Sequence, residues 1–238
     1  MFSDVKACIF DVFGSVADWR GSVSRDLAGF AKEKGIEGVD WLVFAVEWRK
    51  LYQPAMEEVR SGRRSWEILD TLHRESLYKL LDRFGVRGLS GADIEHMNKA
   101  WHRLDPWPDA VQGLTMLKRR VAIAPCSNGN VALMVNMAKR AGLPWDCILG
   151  AETARAYKPM PRCYLSACEM LGLQPHEVMM CAAHNNDLAH AKKQGLRTAF
   201  FPRPTEHGPG QTTDLAADPA AVDLPAADII DLARELGC

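Results

Sequence analysis

Three charged residues in this chain sit where they could together make a carboxylate nucleophile. Asp11 closes the apolar run Val5–Phe10 and is followed by the loop formers Gly14 and Ser15. Lys158 lies in Ala156-Tyr157-Lys158-Pro159, where the following proline favours an extended backbone. Asp187 follows the run Val178–Ala183 and His184-Asn185-Asn186. A carboxylate attacks only while ionised, and an ammonium beside it lowers its pKa and keeps it so. Ser127-Asn128-Gly129, after Val121–Cys126, adds hydrogen-bonding groups at a fourth position. Each feature also has an ordinary reading: Asp11, Ser127, Asn128 and Asp187 as turn or cap residues, Lys158 as a solvated charge. Taken together, polar groups delivered to one edge by four strand or loop ends favour an active site.

The elements that would carry these residues follow from hydrophobic patterning. Val5–Phe10 reads as a strand buried on both faces. From about Asp18 to His102 the pattern is helical: a helix capped by Ser22 and running to Lys34, a longer one from Asp40 to Arg60, a third opened by Ser65 and ending at Phe84, and a fourth begun at Ser90. Beyond Pro106 and Pro108, helices and strands alternate. Helix Ala110–Arg119 is followed by strand Val121–Cys126, helix Val131–Ala141 and a short strand Cys147–Leu149. Then come helix Pro161–Leu171, strand Val178–Ala183, helix Asp187–Gln194 and strand Arg197–Phe201. Such alternation predicts an α/β parallel sheet. The economical arrangement is a core of residues 1–16 and 104–238, with a helical cap of residues 17–103 inserted after the first strand and a pocket between them. Pro202 to Pro225 is long for a loop without periodicity and either wraps the core or serves an oligomer contact. A short strand or helix is expected between Ala226 and Gly237.

Composition narrows the classes. At 238 residues and 47% hydrophobic content, the chain can bury a sizeable core. A net charge of −1 with intermixed signs gives no basic run for nucleic acid. Seven scattered cysteines without a C-x-x-C pair predict reduced thiols, with neither a disulfide frame nor a zinc site. No apolar stretch reaches the roughly 18 residues that span a bilayer, and the first residues lead directly into a strand, so a cytoplasmic protein without membrane association is expected.

Phe10-Asp11-Val12-Phe13-Gly14-Ser15, Ser127-Asn128-Gly129, Tyr157-Lys158-Pro159 with Tyr164, Trp48-Arg49-Lys50 and Asp187 together resemble the haloacid dehalogenase superfamily. Within it, the type II (S)-2-haloacid dehalogenases are most similar, over essentially the whole chain. The resemblance implies a Rossmann-like core with a four-helix-bundle cap, a small 2-haloacid substrate, a halide product, no cofactor or metal, and a homodimer. It implies that Asp11 attacks C2 of the substrate to give an ester, which water then hydrolyses. Arg49 and Asn128 would receive the halide, while Ser127 and Lys158, with the loop amides near Val12 and Phe13, would hold the substrate carboxylate. Asp187 would orient or deprotonate the hydrolytic water, assisted by Lys158, and Ser15 and Tyr164 would support the cluster by hydrogen bonding. Arg49 lies beside the packing stripe Trp41, Phe44, Trp48 and Tyr52, as a guanidinium reaching into a dry cleft would.

One position separates reaction classes. Phosphatases of the superfamily carry Asp-x-Asp, the second Asp protonating the departing alkoxide, and further carboxylates that hold magnesium. Here Phe13 stands at the second place, and Ala182-Ala183-His184-Asn185-Asn186 precedes Asp187. A halide leaves without a proton, so the expectation is carbon–halogen cleavage; a magnesium-dependent phosphatase or phosphonate hydrolase is the alternative, and a binding protein that keeps the scaffold the remoter one. Many relatives have Ser-Ser-Asn where this chain has Ala182-Ala183-His184. His184 is then either a neutral structural donor or part of the halide pocket, the latter compatible with defluorination.

Overall fold

The computed structural model describes residues 2–238. Its centre is β1 (Ala7–Phe10), whose alternate side chains enter two different cores: Cys8 and Phe10 one, Ala7 and Ile9 the other. A strand apolar at every position suits this place, since successive side chains point to opposite faces.

The chain then makes a short strand β2 (Ala17–Asp18) and passes through four helices: α1 (Trp19–Lys34), α2 (Trp41–Arg60), α3 (Leu69–Arg83) and α4 (Gly91–Asn98). It returns through a 3₁₀ turn, Lys99–Arg103, to β3 (Asp105–Pro106), which pairs antiparallel with β2. Exit and return of the helical cap are thus bound side by side. The remainder alternates: α5 (Ala110–Leu117), β4 (Ala122–Ser127), α6 (Val131–Ala141), β5 (Leu149–Gly150), α7 (Ala151–Ala154), α8 (Pro161–Leu171), β6 (Val178–Ala182), α9 (Asn185–Lys193), β7 (Arg197–Phe200), β8 (Leu224–Pro225) and α10 (Ile229–Glu235). The sheet order is β5-β4-β1-β6-β7-β8 with every pair parallel, so the C-terminal ends of β1, β4 and β6 share one edge. Ligands of open α/β sheets bind at that edge.

Several local expectations need correction. Asp18, not Ser22, caps α1 by accepting the Gly21 amide, and the buried Ser22 Oγ accepts the Asp105 amide at 2.8 Å, tying α1 to the return strand. The third helix starts at Leu69 instead of Ser65. Trp66 lies 4.8 Å from the Tyr157 ring and the Glu67 carbonyl accepts the Tyr157 hydroxyl at 2.7 Å, which holds this segment out of the helix. Helix α9 begins two residues before Asp187, leaving Asp187 in its first turn and not at its cap. The stretch beyond Ala226 is a helix, and the strand falls just before it. The fourth helix begins at Ser90 as expected, where Ser90 and Asp93 form a reciprocal capping box.

The long 202–225 loop wraps the core. Arg203 is the anchor: its Nη1 and Nη2 donate to the two Asp109 oxygens at 2.8 and 2.8 Å, and its Nε donates to the Ser15 carbonyl at 2.9 Å. Paired bidentate contacts of this kind fix both position and angle. The loop is thereby fastened to the segment that follows Asp11.

Candidate active site

Asp11 continues β1, with its amide donating to the Cys181 carbonyl at 3.0 Å. Its Oδ2 accepts the Ser15 hydroxyl at 2.7 Å, and Ser15 Oγ in turn accepts the Ala183 amide at 2.9 Å. Lys158 Nζ donates to Asp11 Oδ1 at 3.0 Å and to Asp187 Oδ2 at 2.5 Å, while Tyr164 donates to Asp187 Oδ1 at 2.6 Å. The Lys158 amide donates to Asn128 Oδ1 at 2.8 Å, so the loop carrying the lysine is locked to the end of β4. Burial alone would raise the Asp11 pKa. The Lys158 charge and the hydrogen bonds from His184 and Ser15 outweigh it and hold Asp11 ionised well below the usual carboxylate range. Burial likewise opposes the Lys158 charge, but Asp11 and Asp187 hold it protonated.

Across from Asp11, Arg49 on α2 lies among rings: its guanidinium carbon is 4.2 Å from the Tyr52 centroid, 5.4 Å from Trp19 and 5.9 Å from Phe13. Among the described residues no carboxylate pairs with Arg49, and its buried Nη1 has no hydrogen-bond partner. A desolvated cation with a free N–H beside a cavity is an anion site in waiting. Phe13 stands edge-on to Tyr52 and Trp101 at 6.3 and 5.8 Å and is 2% exposed. A cavity of about 530 Å³ is lined by Asp11, Arg49, Tyr52, Asn128, Lys158, His184, Asp187 and Glu206, with Gln53, Glu57, Arg60 and His207 further along its wall.

Of the sequence-derived residues, Asp11, Arg49, Asn128, Lys158, His184 and Asp187 line this cavity, Ser15 and Tyr164 hold its carboxylates from behind, and Val12 and Phe13 are buried outside its lining side chains. Ser127 is fully buried at the end of β4 and accepts the Gly129 amide at 3.1 Å; it is not part of the cavity wall. His184 stands between two carboxylates, its Nδ1 3.0 Å from Asp11 Oδ2 and its Nε2 2.8 Å from Glu206 Oε2. Burial disfavours the charge, yet these two carboxylates raise the His184 pKa well above its ordinary value.

Glu206 is the residue that sequence reading missed. It is 2% exposed, and its Oε1 accepts the Trp19 indole N–H at 3.0 Å. Burial would raise its pKa, but His184 holds it ionised. Nothing in Thr205-Glu206-His207 marks a site residue; the unusual length of the surrounding loop was the only signal. Room for this carboxylate depends on Gly14, which has φ 89°, and a Cβ at Gly14 would run into it. Because Glu206 is pinned by both Trp19 and His184, it cannot step aside cheaply. Gly14→Ala should therefore cost about 1–3 kcal/mol from the positive φ and the displaced carboxylate together. A drop in thermal midpoint with reduced activity is the expected reading, and an unchanged melt would contradict it.

Comparison with known proteins agrees with this architecture. A profile of the haloacid dehalogenase-like hydrolases matches residues 5–195. The (S)-2-haloacid dehalogenase 4A of Burkholderia cepacia is 29% identical over 211 residues, 85% of each chain. The crystal structure of a defluorinating L-2-haloacid dehalogenase superposes with a TM-score of 0.95 at 47% identity, over 98% of this chain and 96% of that one. That of another L-2-haloacid dehalogenase gives 0.94 at 46% identity, over 98% and 99%. With a matching profile over most of its length, the chain belongs to the haloacid dehalogenase-like hydrolases.

Proposed function

We propose that the protein is an (S)-2-haloacid dehalogenase that converts short 2-haloalkanoates to 2-hydroxy acids with inversion, through an ester on Asp11 and without a metal. The observation that carries the reading is the pairing of an ionised Asp11 with a half-buried guanidinium, Arg49, whose buried Nη1 has no partner and which pairs with no carboxylate among the described residues. The relatives' names support it: those compared above are (S)- or L-2-haloacid dehalogenases. Phe13, two residues after the nucleophile, cannot protonate an alkoxide, whereas a halide needs no proton to leave.

In this mechanism the substrate lies between the core, residues 1–16 and 104–238, and the cap, residues 17–103. Asp11 attacks C2 in line with the carbon–halogen bond. Holding nucleophile and carbon together can supply about 7 kcal/mol of the acceleration. Arg49 and Asn128 receive charge as it develops on the halide, an interaction stronger in the transition state than before it. Lys158 and the amides near Val12 and Phe13 hold the substrate carboxylate, and Ser127 shapes the turn that presents Asn128. Asp187, held by Lys158 and Tyr164, orients the water of the second step.

Halide release from (S)- and (R)-2-chloropropanoate in the presence of EDTA tests the proposal. Turnover of the S enantiomer alone, giving (R)-lactate, is expected. Equal use of both enantiomers, or loss of activity with chelator, would count against it. Fluoride is included as a leaving group because fluoride accepts hydrogen bonds strongly and Arg49 has one to give. Chloride release from chloroacetate without fluoride release from fluoroacetate would remove that extension alone.

A further inference from the structure

We propose that His184 is the general base of the ester-hydrolysis step, with Glu206 as the residue that positions it. The proposal rests on Asp11 forming the ester described above. It starts from the line Asp11–His184–Glu206, with contacts of 3.0 and 2.8 Å at the two ring nitrogens. An imidazole anchored to a carboxylate at one nitrogen and facing the reacting group with the other is built to take and return a proton. The anchor is rigid, because Trp19 holds the second oxygen of Glu206.

Position also decides which step His184 serves. In an in-line displacement the halide departs on the side of the carbon away from the attacking carboxylate. A ring nitrogen 3.0 Å from Asp11 Oδ2 is on the nucleophile's side, remote from the halide and next to Cγ, the atom that water must attack. The other polar neighbours are poorer bases. Lys158 is an ammonium without a lone pair. Both Asp187 oxygens already accept short hydrogen bonds, 2.6 Å from Tyr164 and 2.5 Å from Lys158, so Asp187 is engaged on both sides and can orient water.

The charges balance over a cycle. In the resting enzyme His184 is an imidazolium between Asp11 and Glu206. When Asp11 becomes an ester, one of these two anions is lost, and the Nδ1 proton passes to solvent as the halide leaves. Neutral His184 then keeps its Nε2–H on Glu206 and turns an Nδ1 lone pair toward the incoming water. Water gives one proton to Nδ1 and its oxygen to Cγ. The tetrahedral intermediate breaks its bond to the substrate oxygen, which takes the second water proton and leaves as the hydroxyl of the 2-hydroxy acid. Asp11 carboxylate and His184 imidazolium are restored together. The titratable and charged groups facing this proton are Asp11, Glu206, His207 3.7 Å from Glu206, Arg49 from the cap, and Lys158 with Asp187 beyond Asp11.

The test is a rapid-quench comparison of wild type and His184→Gln on chloroacetate. The variant should release about one chloride per site at near the wild-type rate and then turn over about 10²–10⁴-fold more slowly. The Asp11 peptide should carry a carboxymethyl ester by mass spectrometry. Added imidazole should speed ester loss in His184→Ala. In Glu206→Gln the pH at which ester hydrolysis rises should shift downward, because the base has lost an anionic neighbour. If His184→Gln slowed the chloride burst and turnover by one common factor with no ester on Asp11, His184 would be only a clamp on the nucleophile and the proposal would fall. Unchanged turnover would overturn it equally. Wild-type enzyme that released no halide from any 2-haloacid would instead fail the dehalogenase reading itself, a different result from either.

Discussion

Asp11→Asn should lower halide release by about 10⁵-fold or more, the scale on which losing a covalent nucleophile is felt. The amide is nearly isosteric, so the loss would be chemical and not steric. An amide oxygen can still accept from Lys158, but it carries no charge to form the ester. The exchange also leaves the cluster unbalanced: Lys158 keeps only Asp187 as an anionic partner, and His184 only Glu206. A modest fall in thermal stability is therefore expected beside the loss of activity. Isotope placement separates this mechanism from direct attack by water. With enzyme in excess and H₂¹⁸O as solvent, the first product should carry an unlabelled hydroxyl, because its oxygen comes from Asp11. The label should appear in the Asp11 carboxylate and reach product only on later turnovers. A labelled hydroxyl in the first turnover would end the account.

What could be read beforehand divides along a physical line. Strand β1, the alternation after Pro108 and the helix α8 limits Pro161–Leu171 are local patterns, and these stand in the sequence. Asp11, Lys158 and Asp187 were legible because each sits at the end of an apolar run, where a charge is conspicuous. Glu206 was not, since its partners Trp19 and His184 lie 187 and 22 residues away and its own segment has no period. The same holds for Arg203, whose contacts to Ser15 and Asp109 span 188 and 94 residues. The environment behind Arg49 was hidden for a similar reason. His73, pushed down to about 3 mainly by burial, stacks 4.5 Å from Trp101, and neither is visible from the stripe on α2. A neutral imidazole there adds no competing charge beside Arg49, which leaves the guanidinium's pull on an anion undiminished from that side.

Lys158→Met should have the second-largest effect, a fall in halide release of about 10²–10³-fold, and it should do so with a pH signature. Lys158 is 6% exposed and bridges two carboxylates, so its removal leaves Asp11 and Asp187 facing each other without a cation. Breaking a buried pair in this way costs about 3–5 kcal/mol. The sign follows from the shifts. Asp11 is held below its unfolded value, so its contribution to stability is present above the ordinary carboxylate range and fades as pH falls through the folded value. Lys158 is held above its unfolded value, so its contribution is complete below that value and is lost only in strong alkali. At neutral pH the wild type has both. In Lys158→Met the Asp11 pKa rises, so the gap in thermal midpoint should be wide near neutrality and narrow as acid protonates Asp11 in the variant. The acid limb of halide release should move upward in pH for the same reason, because Asp11 must be ionised to attack. Adding Asp187→Asn to the variant should recover part of the stability by relieving the repulsion. It should recover none of the activity, since Asp11 still lacks its cation. An acid limb in Lys158→Met that coincided with that of the wild type would mean that the ammonium does not set the charge on Asp11, and its place between the two acids would then be structural alone.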